Sequence, residues 1–327
     1  MRAFLLPLIA VLALGCDDSE PETPTETPQT EEPTRRTIAV IPKGTTHVFW
    51  RSVHAGALAK ANELGVDILW QGPVREDDRA AQIRVVEDMI ARRVDAIVLA
   101  PLDDTALVPV ATEAHREGIP VIIFDSNINW DDRVTFVATD NFEGGASAAR
   151  RMGELLEGRG KVIVMRYQEG SASTNRREEG FLETIRGMEG IEVVSDNQYG
   201  GATTETAFST AENLLTRFEE VDGIFTPNES TTFGMLRALQ ESDRAGRVKL
   251  VGFDASEALV GALREGHIHG LVVQNPVRMG REAIGAAVAK LDGDTVPARV
   301  DTGAVVVTAE SMEEHGALLN PDLSVLE

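Results

Sequence analysis

The chain of 327 residues contains little cysteine and an excess of acid. Its single cysteine, Cys16, leaves no partner for an intrachain disulfide. Lysine and arginine number 31 against 53 acidic residues, which gives a net charge of −22. This balance opposes nucleic-acid binding, because a phosphate backbone favours a basic surface. The fold must therefore be held by its hydrophobic core, and we expect no nucleic-acid partner.

The motifs of several common enzyme classes are also missing. The sequence has no G-x-S-x-G, no H-E-x-x-H and no G-x-x-x-x-G-K-[ST] phosphate loop. A glycosidase would need two carboxyl groups that face one bond. Asp125 and Asp254 could be drawn in that way, but ligand recognition explains them without catalysis. We therefore predict that the protein is not an enzyme.

The first residues predict export. Arg2 precedes an apolar stretch over residues 4–15, which matches the roughly 7–15 residues of a secretory leader and is shorter than the roughly 20 that span a bilayer. Gly15 and Cys16 resemble a bacterial lipobox, in which the leader is cut before an acylated cysteine. We predict a signal peptide over residues 1–15 and lipidation at Cys16; an ordinary cleavage site beside a chance cysteine is the alternative.

The segment that follows the cysteine predicts a tether. Residues 17–36 contain no aliphatic or aromatic side chain, so they cannot bury a core, and we expect a disordered acidic stalk over residues 16–36. A flexible tether of this length has a reach of roughly 25 Å. We therefore predict a lipoprotein that is anchored outside the cytoplasm, in the periplasm or on the outer face of the cell membrane.

From Thr37 onward, short apolar runs alternate with helix-length amphipathic segments. Runs rich in valine and isoleucine are typical of strands covered on both faces, and the helical segments between them indicate parallel sheets. Ten runs exceed one comfortable sheet, so we predict an α/β fold of two doubly wound, Rossmann-like lobes. No internal repeat of 20 to 50 residues stands out. The runs are residues 38–41, 66–70, 96–99, 121–124, 135–138, 162–165, 191–194, 223–225, 250–253 and 271–273.

The residues after these runs form the candidate site, because ligands of doubly wound sheets lie beyond the carboxyl ends of the strands. Carboxylates, amides and a guanidinium can each pair with two vicinal hydroxyls, and aromatic faces stack on the C–H face of a sugar ring. The set therefore predicts a sugar pocket. Its members include Lys43, His47, Phe49, Trp50, Asp125, Arg166, Arg177, Asn228, Glu229, Asp254, Gln274 and Asn275.

Over residues 37–307 the chain resembles the periplasmic sugar-binding proteins of ABC importers, specifically the ribose-binding-protein group. Each matching fragment is short, but together they occur in the right order. The fragments are residues 38–41 with 49–50, 118–122 ending in Asp125, 139–141 with 144–145, Arg177 with 180–181, 228–229 with 236–239, 251–254, and Gln274 with Gly280.

The resemblance implies the type I periplasmic binding protein fold, in which two lobes close on one ligand about three hinge crossings. Lobe 1 would comprise residues 37–138 and 276–300, and lobe 2 would comprise residues 139–275 and 301–327. The crossings would lie near residues 139–140, 275–276 and 300–301.

The resemblance also implies a binding set, carried over residue by residue. Phe49, Trp50 and Phe253 would sandwich the sugar, while the polar members would bind its hydroxyl groups. Lobe 1 would contribute Lys43, His47, Phe49, Trp50, Asp125 and Ser126, lobe 2 would contribute Arg177, Asn228, Phe253 and Asp254, and Gln274 would lie at the hinge.

Three positions depart from the ribose-binding pattern. Lys43 and His47 replace small or neutral residues, and Ser126 replaces an arginine. One hypothesis is a ligand with an anionic or extra polar group near Lys43 and His47. The competing hypothesis is that Lys43 only pairs with Asp125 or Glu229 when the lobes close.

The function implied is capture of a monosaccharide or related polyol and its delivery to the permease of an ABC transporter. We expect a monomer that needs no metal and no organic cofactor. A receptor for a sensor or chemotaxis pathway would use the same fold, and a secreted carbohydrate-active enzyme is a further alternative. Lactose-repressor-like transcription factors share the fold but begin with a basic helix-turn-helix, whereas this chain begins with an apolar leader and an acidic segment.

Overall fold

The computed structural model describes residues 35–327. The predicted signal peptide, Cys16 and all but the end of the predicted stalk lie outside the described residues. Within the described range, each of the ten apolar runs overlaps a strand. The strands are β1 (Thr37–Ile41), β2 (Asp67–Trp70), β3 (Ala96–Leu99), β4 (Val121–Phe124), β5 (Phe136–Ala138), β6 (Arg159–Arg166), β7 (Gly190–Tyr199), β8 (Gly223–Phe225), β9 (Lys249–Phe253), β10 (Gly270–Gln274), β11 (Arg299–Asp301) and β12 (Ala304–Val307).

Helices connect most of these strands. They are α1 (Val48–Leu64), α2 (Arg79–Ala91), α3 (Val108–Arg116), α4 (Asn141–Leu155), α5 (Ala172–Arg186), α6 (Thr204–Arg217), α7 (Glu229–Glu241), α8 (Glu257–Arg264), α9 (Pro276–Leu291) and α10 (Gly316–Leu319), and a 3₁₀ turn follows at Ser324–Leu326.

The strands form two six-stranded sheets with the same order. The first sheet runs β2-β1-β3-β4-β5-β11 and the second runs β7-β6-β8-β9-β10-β12. Neighbouring strands are parallel except for β12, which is antiparallel to β10. Two doubly wound α/β sheets confirm the predicted fold class.

Each sheet is buried on both faces, as the continuous apolar runs predict. In β3, Ala96 and Val98 pack in a cluster with residues of α1 and α9. The alternate residues, Ile97 and Leu99, pack in a second cluster with residues of α2 and α3. Successive side chains of a strand point to opposite faces, so both faces of this sheet need apolar residues.

The chain passes between the sheets at three places. It leaves β5 for α4, which packs on strands of the second sheet, and it leaves β10 for α9, which packs on strands of the first. It then pairs β11 with β5 and, after only residues 302–303, pairs β12 with β10. The short turn at Ser324–Leu326 contacts α1 of the first sheet, although residues 301–327 were expected in lobe 2. The exact lobe boundaries remain a prediction.

Helices α1 and α9 pack closely because glycines face each other's backbone. A Cβ atom on Gly56 would lie 2.0 Å from the carbonyl oxygen of Val277, and one on Gly280 would lie 2.1 Å from the carbonyl oxygen of Val53. Helix α9 starts at the hinge, where the side chain of Asn275 caps it by accepting a hydrogen bond from the Arg278 amide at 3.0 Å. The close packing therefore ties the hinge to α1, which begins beside the candidate site.

Candidate functional site

A polar cavity lies between the two sheets, at the carboxyl ends of their strands. The space inside it that water can enter is about 30 Å³, on the order of one or two water molecules. It is lined by Lys43, His47, Phe49, Trp50, Glu76, Asp125, Tyr167, Ser173, Thr174, Arg177, Asn228, Asp254 and Gln274.

Nine of the eleven residues predicted for ligand binding line this cavity, and Ser126 and Phe253 do not. The hydroxyl of Ser126 instead accepts a hydrogen bond from the Ser173 amide at 3.1 Å, which joins the two lobes. Phe253 is fully buried in the core of the second lobe, against Phe225. The expected placement of Phe253 at the sugar is therefore corrected: it points into the core, and the next residue, Asp254, lines the cavity.

The two aromatic residues of the first lobe do lie at the cavity wall. Phe49 and Trp50 begin α1, and their rings meet edge to face with centroids 4.9 Å apart. Trp50 also packs edge to face on Phe124 of β4. Both rings line the cavity and also belong to the hydrophobic core cluster of the first lobe, so the core holds this part of the cavity wall in place.

Glu76, which the sequence analysis did not single out, organises this wall. It follows β2 in a loop and is buried. Its Oε1 accepts a hydrogen bond from Trp50 Nε1 at 2.6 Å and pairs with His47 Nδ1 at 2.7 Å, while its Oε2 accepts from the Tyr167 hydroxyl at 2.8 Å. The signal that could have found it is its position at the carboxyl edge of the sheet.

The His47 and Glu76 pair is ionised over the physiological range. Burial opposes both charges, but the attraction and hydrogen bonding within the pair, together with other nearby groups, outweigh that penalty. The pKa of His47 is therefore raised to about 9, and the pKa of Glu76 is lowered to about 2.

Lys43 is paired within the first lobe. Its ammonium lies 3.3 Å from a carboxylate oxygen of Asp125. It also donates hydrogen bonds to the hydroxyls of Ser171 at 3.2 Å and Ser173 at 2.9 Å, which belong to the second lobe. All four side chains are buried. This geometry favours the hypothesis in which Lys43 pairs with Asp125 on closure.

Two aspartates hold corresponding places in the two sheets. Asp125 directly follows β4 and Asp254 directly follows β9, and their φ angles are 58° and 68°. A positive φ is uncommon for residues other than glycine, although aspartate tolerates it better than most. An aspartate at each of these strained positions points to a role for the carboxylates.

Arg177 is fixed on three sides in the second lobe. Its guanidinium carbon lies 4.2 Å from the ring centroid of Phe253. Its Nε donates to Asn141 Oδ1 at 2.8 Å, and its Nη1 donates to the Pro227 carbonyl oxygen at 2.9 Å. No hydrogen bond from residues 35–327 engages Nη2, so this nitrogen remains for a ligand.

Gln274 carries a buried acceptor that the described residues leave unpaired. Its Nε2 donates to Asp254 Oδ1 at 2.7 Å, but within the described part of the chain its Oε1 has no hydrogen-bond partner. Leaving such a group unsatisfied costs about 1–3 kcal/mol. Burial also raises the pKa of Asp254, although Arg177 and Gln274 partly offset that effect. A hydrogen-bond donor such as a ligand hydroxyl would satisfy Gln274 Oε1.

Asn228 and Glu229 lie at the start of α7. Asn228 lines the cavity and caps this helix through its Oδ1, which accepts from the Thr231 amide at 3.3 Å. Glu229 reaches the first lobe, where its Oε2 accepts from the Phe49 amide at 3.4 Å. Burial raises the pKa of Glu229, and although His47 partly offsets this effect, the value is about 7.

The loop after β6 completes the contact between the lobes. The Gln168 amide donates to the Glu76 carbonyl oxygen at 2.9 Å, and Arg79 Nη2 donates to the Glu169 carbonyl oxygen at 2.9 Å. The Gly170 carbonyl oxygen in turn accepts from the Asp104 amide at 3.0 Å. Together with the bonds of Lys43 and Tyr167, these contacts hold the two lobes closed around the cavity.

The chemistry of this lining suits recognition of a small polar molecule. Across residues 35–327, no group of three or more histidine, cysteine, aspartate or glutamate side chains is arranged to hold a metal ion. None of the helices in the same range is long and apolar enough to cross a membrane.

Two doubly wound lobes that close on a polar cavity at their strand ends define a class of two-lobed ligand-binding proteins. Within that class, the chain belongs to the periplasmic binding protein domain family, whose model matches residues 38–295. A curated relative, the D-ribose/D-allose-binding protein of Pseudomonas aeruginosa, is 31% identical over 302 residues, which cover 88% of this chain and 91% of the relative. These matches confirm the resemblance found in the sequence.

Solved structures agree with this assignment. A carbohydrate transporter solute-binding protein from Agrobacterium radiobacter, in complex with D-arabinose, has a TM-score of 0.85 and 33% identity, and the match covers 88% of this chain and all of that one. An ABC transporter solute-binding protein from Agrobacterium vitis with bound D-fucose has a TM-score of 0.83 and 34% identity. That match covers 86% of this chain and 99% of the other. These relatives are binding proteins rather than enzymes.

Proposed function

We propose that this protein is the extracytoplasmic solute-binding component of an ABC transporter and that it captures one uncharged monosaccharide or related polyol between its lobes. Binding would pull an open, hinge-flexible state into the closed one, which a permease then recognises. The polar lining between the lobes supports a small, hydroxyl-rich ligand, around which the lobes would lie further apart than in this structure.

The observation that carries the proposal is the buried Oε1 of Gln274 in the cavity wall, which has no hydrogen-bond partner among residues 35–327. An acceptor at this place calls for a ligand donor, and the free Nη2 of Arg177 calls for a ligand acceptor. A sugar hydroxyl is both. Phe49 and Trp50, which also line the cavity, supply aromatic surface against which the C–H side of a sugar ring packs.

The charges of the cavity support a neutral ligand over a sugar acid. Lys43 is paired with Asp125, and His47 is paired with Glu76. Arg177 acts on the nearby Asp254 carboxyl, whose pKa it lowers against the larger effect of burial. The lining thus carries three cationic and three carboxylate side chains, and an anionic ligand would add a charge in excess of this balance. The D-arabinose and D-fucose of the two solved relatives are likewise uncharged.

A thermal-shift screen tests the proposal directly. It would compare neutral pentoses, hexoses, deoxyhexoses and polyols with matched aldonic and uronic acids. A ligand that binds only the folded state stabilises it by about 2.7 kcal/mol at a hundredfold excess over its Kd. We expect a rise in melting temperature with one or a few neutral compounds. A rise with sugar acids alone would refute the neutral assignment, and no rise with any compound would refute sugar binding.

We further propose an anchored form that works beside its permease as a monomer and without catalysis. The leader and Cys16, discussed above, support lipidation, and the acidic segment behind them supports a tether. Recovery of the bound sugar unaltered after prolonged incubation would support the absence of catalysis. Co-purification with a permease would favour transport, whereas co-purification with a sensor kinase or chemoreceptor would favour the alternative role in sensing.

A further inference from the structure

We propose that Glu76 is the positioning residue of this binding site: it sets which polar groups of His47 and Trp50 remain for the ligand, and it couples them to lobe closure through Tyr167. This inference rests on the proposed function, because it concerns the same cavity. It assigns a role to a side chain that need not touch the sugar through its own carboxylate.

The geometry places three donors on one buried carboxylate. Trp50 Nε1 and His47 Nδ1 share Oε1, at 2.6 Å and 2.7 Å, while the Tyr167 hydroxyl donates to Oε2 at 2.8 Å. A buried charge is costly unless it is paired and hydrogen-bonded. Glu76 meets that condition only when all three partners are in place, so the three side chains are held as a unit.

The arrangement decides what the first lobe offers to a ligand. The indole of Trp50 has a single N–H group, and Glu76 occupies it, so Trp50 retains only its ring faces and edges. The imidazole of His47 has one nitrogen committed to Glu76, and Nε2 is the nitrogen that remains. The wall therefore offers an aromatic surface and one further donor, which suits the C–H face and an oxygen atom of a sugar.

Tyr167 adds the coupling, because it comes from the other lobe. It directly follows β6 of the second sheet, and its side chain is buried. Its hydroxyl reaches Glu76 only when the lobes are together. A ligand that aligns His47 and Trp50 therefore holds Glu76 in the position in which it accepts the hydrogen bond of Tyr167. That hydrogen bond joins the two lobes, so it favours the closed state.

The charges around His47 explain why Glu76 controls its ionisation. His47 is influenced by Glu76 from the loop after β2, by Glu229 from α7 and by Asp254 from the end of β9. Burial opposes the imidazolium, and Glu76 provides the largest opposing effect. Lys43 acts on Glu76 in turn. Without the Glu76 charge, burial dominates and the titration of His47 moves back toward its ordinary range.

The first test is the Tyr167→Phe variant, which removes one hydroxyl and leaves the first lobe unchanged. The matched control is Tyr199→Phe, because Tyr199 is the only other tyrosine in the chain. Stopped-flow fluorescence with the neutral sugar that binds best in the screen would give the rate constants of association and dissociation. We expect dissociation to accelerate roughly ten- to a hundredfold in Tyr167→Phe, the usual range for losing a hydrogen bond to a charged group, and to stay unchanged in Tyr199→Phe. An unchanged dissociation rate in Tyr167→Phe would overturn the coupling.

The second test is Glu76→Gln, which keeps the shape of the side chain and removes its charge. The readout is the His47 titration followed by NMR without ligand, with the resonance assigned by its loss in His47→Asn. We expect the midpoint to fall from about 9 to roughly 6.5 or below, with weaker sugar binding. An unchanged midpoint and affinity would overturn the positioning role.

These outcomes separate the inference from the proposed function. If the wild-type protein binds no sugar, the proposed function fails, yet the ligand-free titration still decides the role of Glu76. If the wild-type protein binds a sugar and both variants behave like it, only the inference fails. If Glu76→Gln does not fold, the dissociation rate of Tyr167→Phe still decides the coupling.

Discussion

The guanidinium carbon of Arg177 lies over the ring of Phe253, 4.2 Å from its centroid. The aromatic ring that the sequence analysis assigned to the sugar thus supports the cation that faces the cavity. A cation at this distance from an aromatic face is stabilised by about 0.5–2 kcal/mol. Arg177 is therefore held in place before any ligand arrives.

Arg177→Ala should weaken sugar binding by roughly ten- to a hundredfold, since truncation leaves partner groups unpaired at about 1–3 kcal/mol each. Titration calorimetry would measure the loss. Arg177→Lys should recover little, because an ammonium lacks the planar fork. The control is Arg176→Ala: this neighbouring side chain is exposed and pairs with Glu179. Wild-type affinity in Arg177→Ala would contradict the site described here.

Lys43→Ala should lower the stability of the ligand-free protein, because Asp125 would be left buried without its partner. Removing one member of a buried pair costs about 3–5 kcal/mol. Denaturant unfolding would measure this cost, and Lys60→Ala, which disrupts a partly exposed pair with Glu63, should change it by less than about 1 kcal/mol.

The same Lys43→Ala variant distinguishes the two hypotheses for the ligand. A neutral sugar should remain preferred over its matched acid in the variant, as in the wild type. If the wild type prefers the acid and Lys43→Ala abolishes that preference, Lys43 binds an anionic group and the neutral assignment is wrong.

Gly280→Ala should destabilise the fold, because the added methyl group would lie 2.1 Å from the Val53 carbonyl oxygen in the contact between α9 and α1. Overpacking of this kind costs about 1–3 kcal/mol. Gly261→Ala is the matched control in α8, where an added Cβ meets nothing within 4 Å; it should stabilise by about 0.5–1 kcal/mol. Equal melting temperatures for the two variants would contradict the close packing.

Cys16→Ser should abolish incorporation of labelled palmitate in a bacterial host, because the chain has no other cysteine. The variant should carry no lipid and should retain its leader, because a lipobox leader is cut before an acylated cysteine. Sugar binding by the variant should match the wild type, which serves as the control for folding. Undiminished labelling would show that the lipid is attached elsewhere.

Much of the fold was predictable because burial on both faces leaves a continuous apolar signal. The run at residues 96–99 coincides with β3, where every residue is buried. The short strand β11 carried no such signal, because Arg299 and Asp301 are exposed. β12 is an apolar run, Ala304–Val307, that the ten predicted runs did not include, and it is mostly half-buried. Both lie at sheet edges, where only one neighbouring strand provides contacts.

The site was predictable to the extent that strand ends position it. Asp125, Asp254 and Gln274 come at or directly after strands and line the cavity. Phe253 was misplaced because sequence resemblance gives a position along the strand but not the packing of its side chain. Glu76 was missed because its loop reads as exposed and charged, and only the tertiary fold brings His47, Trp50 and Tyr167 to it.

Because the two sheets share one strand order, each lobe presents its own equivalent set of ligand-binding positions. Asp125 and Asp254 occupy the same step of the same topology, each in its own lobe with its own core. Substitutions around one aspartate can retune one end of the ligand without disturbing the core that holds the other. A scaffold built in this way can change its specificity one end at a time while the hinge and the closing motion stay the same.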